Sequence, residues 1–146
     1  MGIMIILLLV VDIISKIIVS SLLDVNKSIV VFKNFFSITY VRNTGAAWSF
    51  MAGKTWLLVI ISSIIITLLI IYIKKNKIEN KREKYGYSLV LAGAIGNYLE
   101  RIFYGSVTDF LDFKIFGYEY PIFNLADCFI VIGIGLLLID TWRCKK

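Results

Sequence analysis

A chain of 146 residues that is 59% hydrophobic, with one proline and a mean hydropathy of +0.84, has the length of one domain and the composition of a membrane protein. Its formal charge of +6 does not read as a nucleic-acid footprint, because most lysines sit beside apolar spans instead of alternating with stacking aromatics. Histidine is absent, which excludes Ser-His and Cys-His nucleophile pairs and removes the commonest zinc ligand, so neither a metal nor a cofactor is expected.

A membrane-spanning helix needs about 17 to 25 mainly apolar residues. Four such stretches can be drawn, at residues 3–23, 56–73, 85–104 and 122–139. The expected fold class is therefore an all-α polytopic membrane protein with four transmembrane helices, a single membrane domain over residues 1–146. The first stretch resembles a secretory leader but lacks a basic start and is interrupted by Asp12 and Lys16, so it is read as a retained helix. Four residues apart, Asp12 and Lys16 share a helix face and can neutralise each other.

Residues 24–55 form a polar excursion in which 28–41 is rich in Val, Phe, Ile, Thr and Tyr, the composition of short strands. Phe32, Phe35, Phe36, Tyr40 and Trp48 are expected to dip into the headgroup region. The excursion ends in R-N-T-G-A-A-W at 42–48, where Gly45, Ala46 and Ala47 permit a close backbone approach. The loop at 74–84 is the densest basic run and marks the cytoplasmic side. Both termini then lie inside: nine basic residues fall in that loop and the tail at 140–146, against five outside. In the third stretch Gly93, Asn97 and Arg101 fall on one stripe, with Glu100 beside the arginine near the outer end.

The segment 107–127 sets Asp109 in an outer loop (105–121) and Asp127 just inside the fourth stretch. A charge in hydrocarbon costs about 2.5 to 3.5 kcal/mol on insertion scales, so an intramembrane acid points to function. By residue count Lys16, Asn97 and Asp127 lie at similar depth, roughly 8 to 10 Å below the outer boundary. Polar groups confined to one leaflet make a site rather than a conduction path. Two adjacent carboxylates can share a proton, one acting as base and the other as acid on a water between them. Asn124, one turn before Asp127, is placed to donate to it. Asp112 competes with Asp109 for the second role, and spacing alone leaves that choice open. A Ser-Lys pair with Lys16 as base is disfavoured, since Ser15 adjoins it on a different helix face. Cys128 and Cys144 are 16 residues apart, about 24 Å on a helix, too far for a disulfide.

D-I-I-S-K at 12–16, R-N-T-G-A-A-W at 42–48, A-G-A-I-G-N-Y-L-E-R at 92–101, V-T-D-F at 107–110 and F-N-L-A-D at 123–127 resemble, in order, the signature blocks of the bacterial lipoprotein signal peptidases, signal peptidase II. The resemblance implies a four-helix membrane protease with a small extracytoplasmic β-cradle. Its substrate would be diacylglyceryl-modified prolipoproteins, cut just before the lipidated cysteine. It carries over Asp109 and Asp127 as catalytic aspartates, with Asn43, Gly45, Gly96, Asn97, Arg101 and Asn124 around them and Asp12 and Lys16 as support. The implied partners are the lipidated prolipoprotein and membrane lipids, with no nucleic acid, and the protein is expected as a monomer in the bacterial cytoplasmic membrane with its site towards the outer face. Three positions depart from the family's usual residues: Ile13 for Gln, Glu100 for Asp and Cys128 for Ser. The aromatic stretch between the acids is expected to be a loop that closes over them.

Overall fold

The computed structural model describes residues 1–45, 51 and 53–144, with no side-chain description beyond residue 142. The expectations for Ala46, Ala47, Trp48 and the basic tail therefore lie outside the described residues. Among the described residues, four helices and four strands follow in the order α1 (Gly2–Leu22), β1 (Ser28–Phe32), β2 (Phe36–Asn43), α2 (Thr55–Asn76), α3 (Lys81–Tyr104), β3 (Val107–Ile115), β4 (Tyr118–Glu119) and α4 (Leu125–Cys144).

Three of the helices are long and apolar enough to cross a membrane: Gly2–Leu22, Thr55–Asn76 and Leu125–Trp142. Helix α3 is long enough, but its glycines, tyrosines, Asn97, Glu100 and Arg101 leave its hydropathy too low to qualify by composition. Its position explains the difference, because α3 packs against each of the other three helices. A helix enclosed by protein meets little lipid and needs no continuous apolar surface. Outer helix α2, by contrast, has no buried residue, and its exposed isoleucines and leucines form a lipid-compatible surface.

Close approach of α3 and α4 depends on small residues, since apolar burial drives little association inside lipid. A Cβ added at Gly93 would collide with the backbone carbonyl of Ala126, and one at Gly96 would lie 2.6 Å from the Asp12 carboxylate. At the opposite end of the pair, Asn80 caps α3 by accepting from Arg82 N at 3.0 Å and donates its side-chain amide to Asp140 at 2.6 Å. This gives buried Asp140 a partner.

The strands form one antiparallel sheet in the order β1-β2-β3-β4. It is larger than the expected cradle, because most of the anticipated loop at 105–121 is strand. β-Branched and aromatic residues along β3 suit a pleated surface packed on one side. Phe36 stacks on Phe113 with ring centroids 4.6 Å apart. Tyr40 does not face the headgroups; it is buried with Val19 and Phe110 where the sheet meets α1. Phe32 and Phe35 remain exposed.

Irregularities in the sheet aim the site. The β2–β3 register shifts between Ile38 and Val41. On the other side of β3, both Phe110 N and Leu111 N donate to Phe123 O, at 3.0 and 2.8 Å. Two consecutive donors on one carbonyl are the mark of a bulge, which uses up one residue of the pleat alternation. Asp109 and Asp112, three apart, thereby both reach one cavity. Phe123 N also donates to Leu111 O at 3.2 Å, which fastens the start of α4 to β3. That fastening brings Asp127 to Asp109. α4 starts at Leu125, later than the expected residue 122, so Asp127 sits in its first turn.

Gly93→Ala is expected to destabilise the helix pair by ~1–3 kcal/mol, because a backbone carbonyl cannot step aside. Gly135→Ala, with no atom within 4 Å of the added methyl, should leave the thermal midpoint in detergent unchanged.

Candidate active site

Asp127 owes its place to the chemistry of a helix start. Its backbone N–H donates to Asn124 Oδ1 at 3.1 Å, and its carboxylate accepts from Asn124 N at 3.2 Å. This reciprocal pair is a capping box built from Asn-x-x-Asp, which satisfies two backbone donors at the start of α4. With its carbonyl oxygen turned to Asp127 N, Asn124 presents its amide nitrogen to Asp109 Oδ1 at 2.6 Å. One asparagine thus bonds to both carboxylates. The partnership is wider than the single donation expected of it.

The same arrangement recurs twice. Asn97 Oδ1 accepts from Lys16 Nζ at 3.0 Å, so the Asn97 amide nitrogen is free to turn to Asp127 Oδ1, at 2.8 Å. Asn43 Oδ1 accepts from Gly45 N at 2.9 Å and Asn43 Nδ2 donates to Asp109 Oδ2 at 2.8 Å. In each case a donor engages the carbonyl oxygen and thereby fixes which way the amide points.

Behind the asparagines lies a buried ion cluster. Lys16 Nζ meets Asp12 Oδ2 at 2.8 Å, Glu100 Oε2 at 3.0 Å and Asn97 Oδ1 at 3.0 Å, three acceptors for the three donors of an ammonium. Asp12 uses its other oxygen to accept from Ala126 N at 3.0 Å, capping α4 from a different helix. Glu100 grips β3 by accepting from Thr108 N at 3.0 Å and Thr108 Oγ1 at 2.8 Å. In the sequence Glu100 stands beside Arg101 near the outer end of the third stretch. Glu100 turns instead to Lys16 and Thr108, while Arg101 donates to Gly45 O at 3.0 Å and to Asn97 O at 3.3 Å. Glu100, Thr108 and Arg42, whose Nη1 donates to Thr108 Oγ1 at 3.1 Å, are site-supporting residues that the sequence reading missed. Only the i, i+3 spacing of Asn97 and Glu100 hinted at the first.

Burial pushes the Asp109 carboxyl up to about 6; the Asn43 bond opposes this, the nearby Asp127 charge adds to it, and Asn124 and Lys16 oppose it. An acid poised there is within reach of both protonation states near neutral pH. A cavity of about 440 Å³ between the helices touches both acids and is walled by Ser62, Ala94, Arg101 and Ile130. Of the ten residues singled out from sequence, Asp12, Lys16, Asn43, Gly45, Gly96, Asn97, Arg101, Asp109, Asn124 and Asp127 all converge on this region. Asp112 stands apart, its carboxylate accepting from Thr39 Oγ1 at 2.6 Å. Ser15 donates to Asp12 O at 2.7 Å and is not placed against the Lys16 ammonium.

A family model described as signal peptidase (SPase) II matches residues 4–143. The chain belongs to the signal peptidase II family. It is 40% identical over 139 residues to a lipoprotein signal peptidase of Haemophilus ducreyi, covering 92% of this chain and 86% of that one. It is likewise 40% identical over 128 residues to the lipoprotein signal peptidase of Staphylococcus aureus, covering 88% and 78%. A solved bacterial membrane enzyme superposes with a TM-score of 0.91 at 35% identity over 99% of this chain and 88% of its own. A second does so at 0.85 and 36%, over 95% and 90%. The protein is thus a membrane peptidase that processes lipoproteins. Of its three departures from the family's usual residues, Ile13 lies on the exposed face of α1, away from the site, and Glu100 uses its length to span from Lys16 to Thr108. Cys128 is half-buried next to Asp127 and has no imidazole to activate it.

Two tests follow from this geometry. Asn43→Ala removes a donor that favours ionised Asp109, so ionisation moves to higher pH, and the acidic limb of the pH profile of kcat/KM should move upward with it. Glu100→Gln weakens the hold on Lys16 and should lower kcat about tenfold with little change in KM, whereas Glu100→Asp restores part of the loss.

Proposed function

We propose that the protein removes the signal peptide from diacylglyceryl-modified prolipoproteins by hydrolysing the bond just before the lipidated cysteine, with Asp109 and Asp127 as an aspartic dyad. The observation that carries this reading is the shared asparagine: Asn124 bonds to both carboxylates, which sets buried Asp109 and part-buried Asp127 over one cavity.

In this mechanism the pair holds one proton between them. The ionised member takes a proton from a water as its oxygen attacks the scissile carbonyl carbon, and the protonated member gives its proton to the carbonyl oxygen. The tetrahedral intermediate collapses as one of its two hydroxyls returns a proton to the carboxylate that had given one up, the C–N bond breaks, and the departing amine takes up the proton first drawn from the water, which restores the one-proton pair. Asn43, Asn97 and Asn124 orient the carboxylates; Arg101, with Gly45, positions the substrate backbone; Asp12, Lys16 and Gly96 support the site from behind. No metal or cofactor takes part. Asp112, held by Thr39, has no role in the dyad.

The helix-lined cavity suits the apolar signal segment, and its floor on α3 lies between α2 and α4. Helix α3 is read as a fourth span: its 24 residues extend about 36 Å, enough for a bilayer. The basic stretch between α2 and α3 then faces the cytoplasm with both termini, and the sheet and dyad face outward. A lipid-anchored substrate presents its scissile bond at a fixed shallow depth, which is where a dyad split between a surface strand and the first turn of a spanning helix would meet it. The enzyme works as a monomer in contact with membrane lipids and without nucleic acid.

In proteoliposomes Asp109→Asn and Asp127→Asn are each expected to abolish cleavage of a lipidated prolipoprotein while insertion is retained. Turnover surviving in both variants would remove the dyad, and equal cleavage of the unlipidated precursor would remove the substrate class.

A further inference from the structure

Asp109 borders two cavities of different character. The one between the helices is described above. The other, about 780 Å³, lies along the sheet, where Ser37, Arg42, Asp112, Lys114 and Glu119 line it together with apolar residues such as Phe36 and Val41. Asn43, Asp109, Tyr120, Pro121 and Ile122 line both, so the two cavities meet at the carboxylate.

We infer that the sheet-side cavity is a binding subsite for the polar polypeptide that follows the scissile bond, the first residues of the released chain. The inference rests on the peptidase reading above. A peptide bond held at Asp109 has chain on both sides. If the apolar signal segment fills the helix-lined cavity, the chain beyond the cleavage point must leave by another route. Among the described residues, the second cavity at Asp109 is the more polar of the two and borders the strands rather than the helix bundle.

Its dimensions and chemistry fit an extended peptide. From Asp109 to Lys114 along β3 is about 17 Å, room for roughly four or five extended residues. Ser37 and Asp112 are directly opposed across β2 and β3. Asp112 is held by Thr39 Oγ1 at 2.6 Å, and Thr39 pairs with Ser28 at 2.9 Å, which fixes an acceptor in the cavity wall. At the rim Lys114 pairs with Glu119 at 2.7 Å, with 44% and 76% of their side chains exposed. A pair so exposed exchanges partners at little cost, so either charge can turn to a substrate side chain. Both signs of charge line the space, which suits a hydrophilic chain of varied sequence rather than one fixed ligand.

The test uses synthetic diacylglyceryl-cysteine peptides that share one signal segment and end either directly after the modified cysteine or after a polar extension. With the wild-type enzyme, kcat/KM should rise about tenfold with the extension, since remote contacts contribute binding energy to the transition state. Ser37→Trp, which fills the cavity, should reduce that gain. Lys114→Glu, an exposed change that leaves folding intact, should move the preference between basic and acidic extensions roughly threefold towards basic ones. Equal kcat/KM for short and extended peptides in the wild type would overturn the inference, as would an extension gain unchanged in Ser37→Trp together with an unmoved charge preference in Lys114→Glu. Failure to cut any peptide would overturn the peptidase reading itself, and this subsite with it.

Discussion

The structure around the two aspartates depends on one buried cation. Placing an ammonium out of water costs several kcal/mol unless its donors are matched, and Lys16 matches all three, to Asp12, Glu100 and Asn97. Each acceptor then fastens something else. Asp12 holds the first turn of α4 through Ala126 N, Glu100 holds β3 through Thr108, and Asn97 reaches Asp127. Without the cation, Asp12 and Glu100 would be buried like charges with little to offset their repulsion.

Orientation passes from this cluster to the carboxylates through amides. An asparagine side chain offers an acceptor at one end and donors at the other, so engaging the oxygen decides where the N–H groups go. Asn97 is set by a cation, Asn124 by a helix N–H and Asn43 by a turn N–H. Asp109 is buried, and burial holds its carboxyl up at about 6. Asp127 also completes the cap of α4, so one carboxylate has a structural role and a proposed chemical one.

The helices divide by surroundings. α2 exposes mostly hydrocarbon and adds Ser62 to the cavity wall, whereas α3, enclosed by its neighbours, carries Asn97, Glu100 and Arg101 inward. The sheet closes the outer end, and its bulge beside Phe123 turns Asp109 and Asp112 towards a common space. A site assembled in this way joins an apolar approach from the bundle to a polar one along the strands.

Much of this was legible in the chain. Apolar runs marked the four helices, richness in β-branched and aromatic residues marked β1 and β2, and acids and amides out of place in hydrocarbon marked the site, because both hydropathy and desolvation cost are local properties of sequence. The ordered signature blocks marked the family. Other features depended on contacts between residues far apart in the chain. Whether Glu100 faces Arg101 or Lys16, whether Tyr40 faces lipid or Val19, and whether the stretch after residue 105 is loop or strand are questions of which partner is nearby. The same holds for the convergence of Asp109 and Asp127. It requires Phe123 to pair with Leu111, a backbone pairing between two segments that carries no side-chain signature, and so only the folded chain decides it.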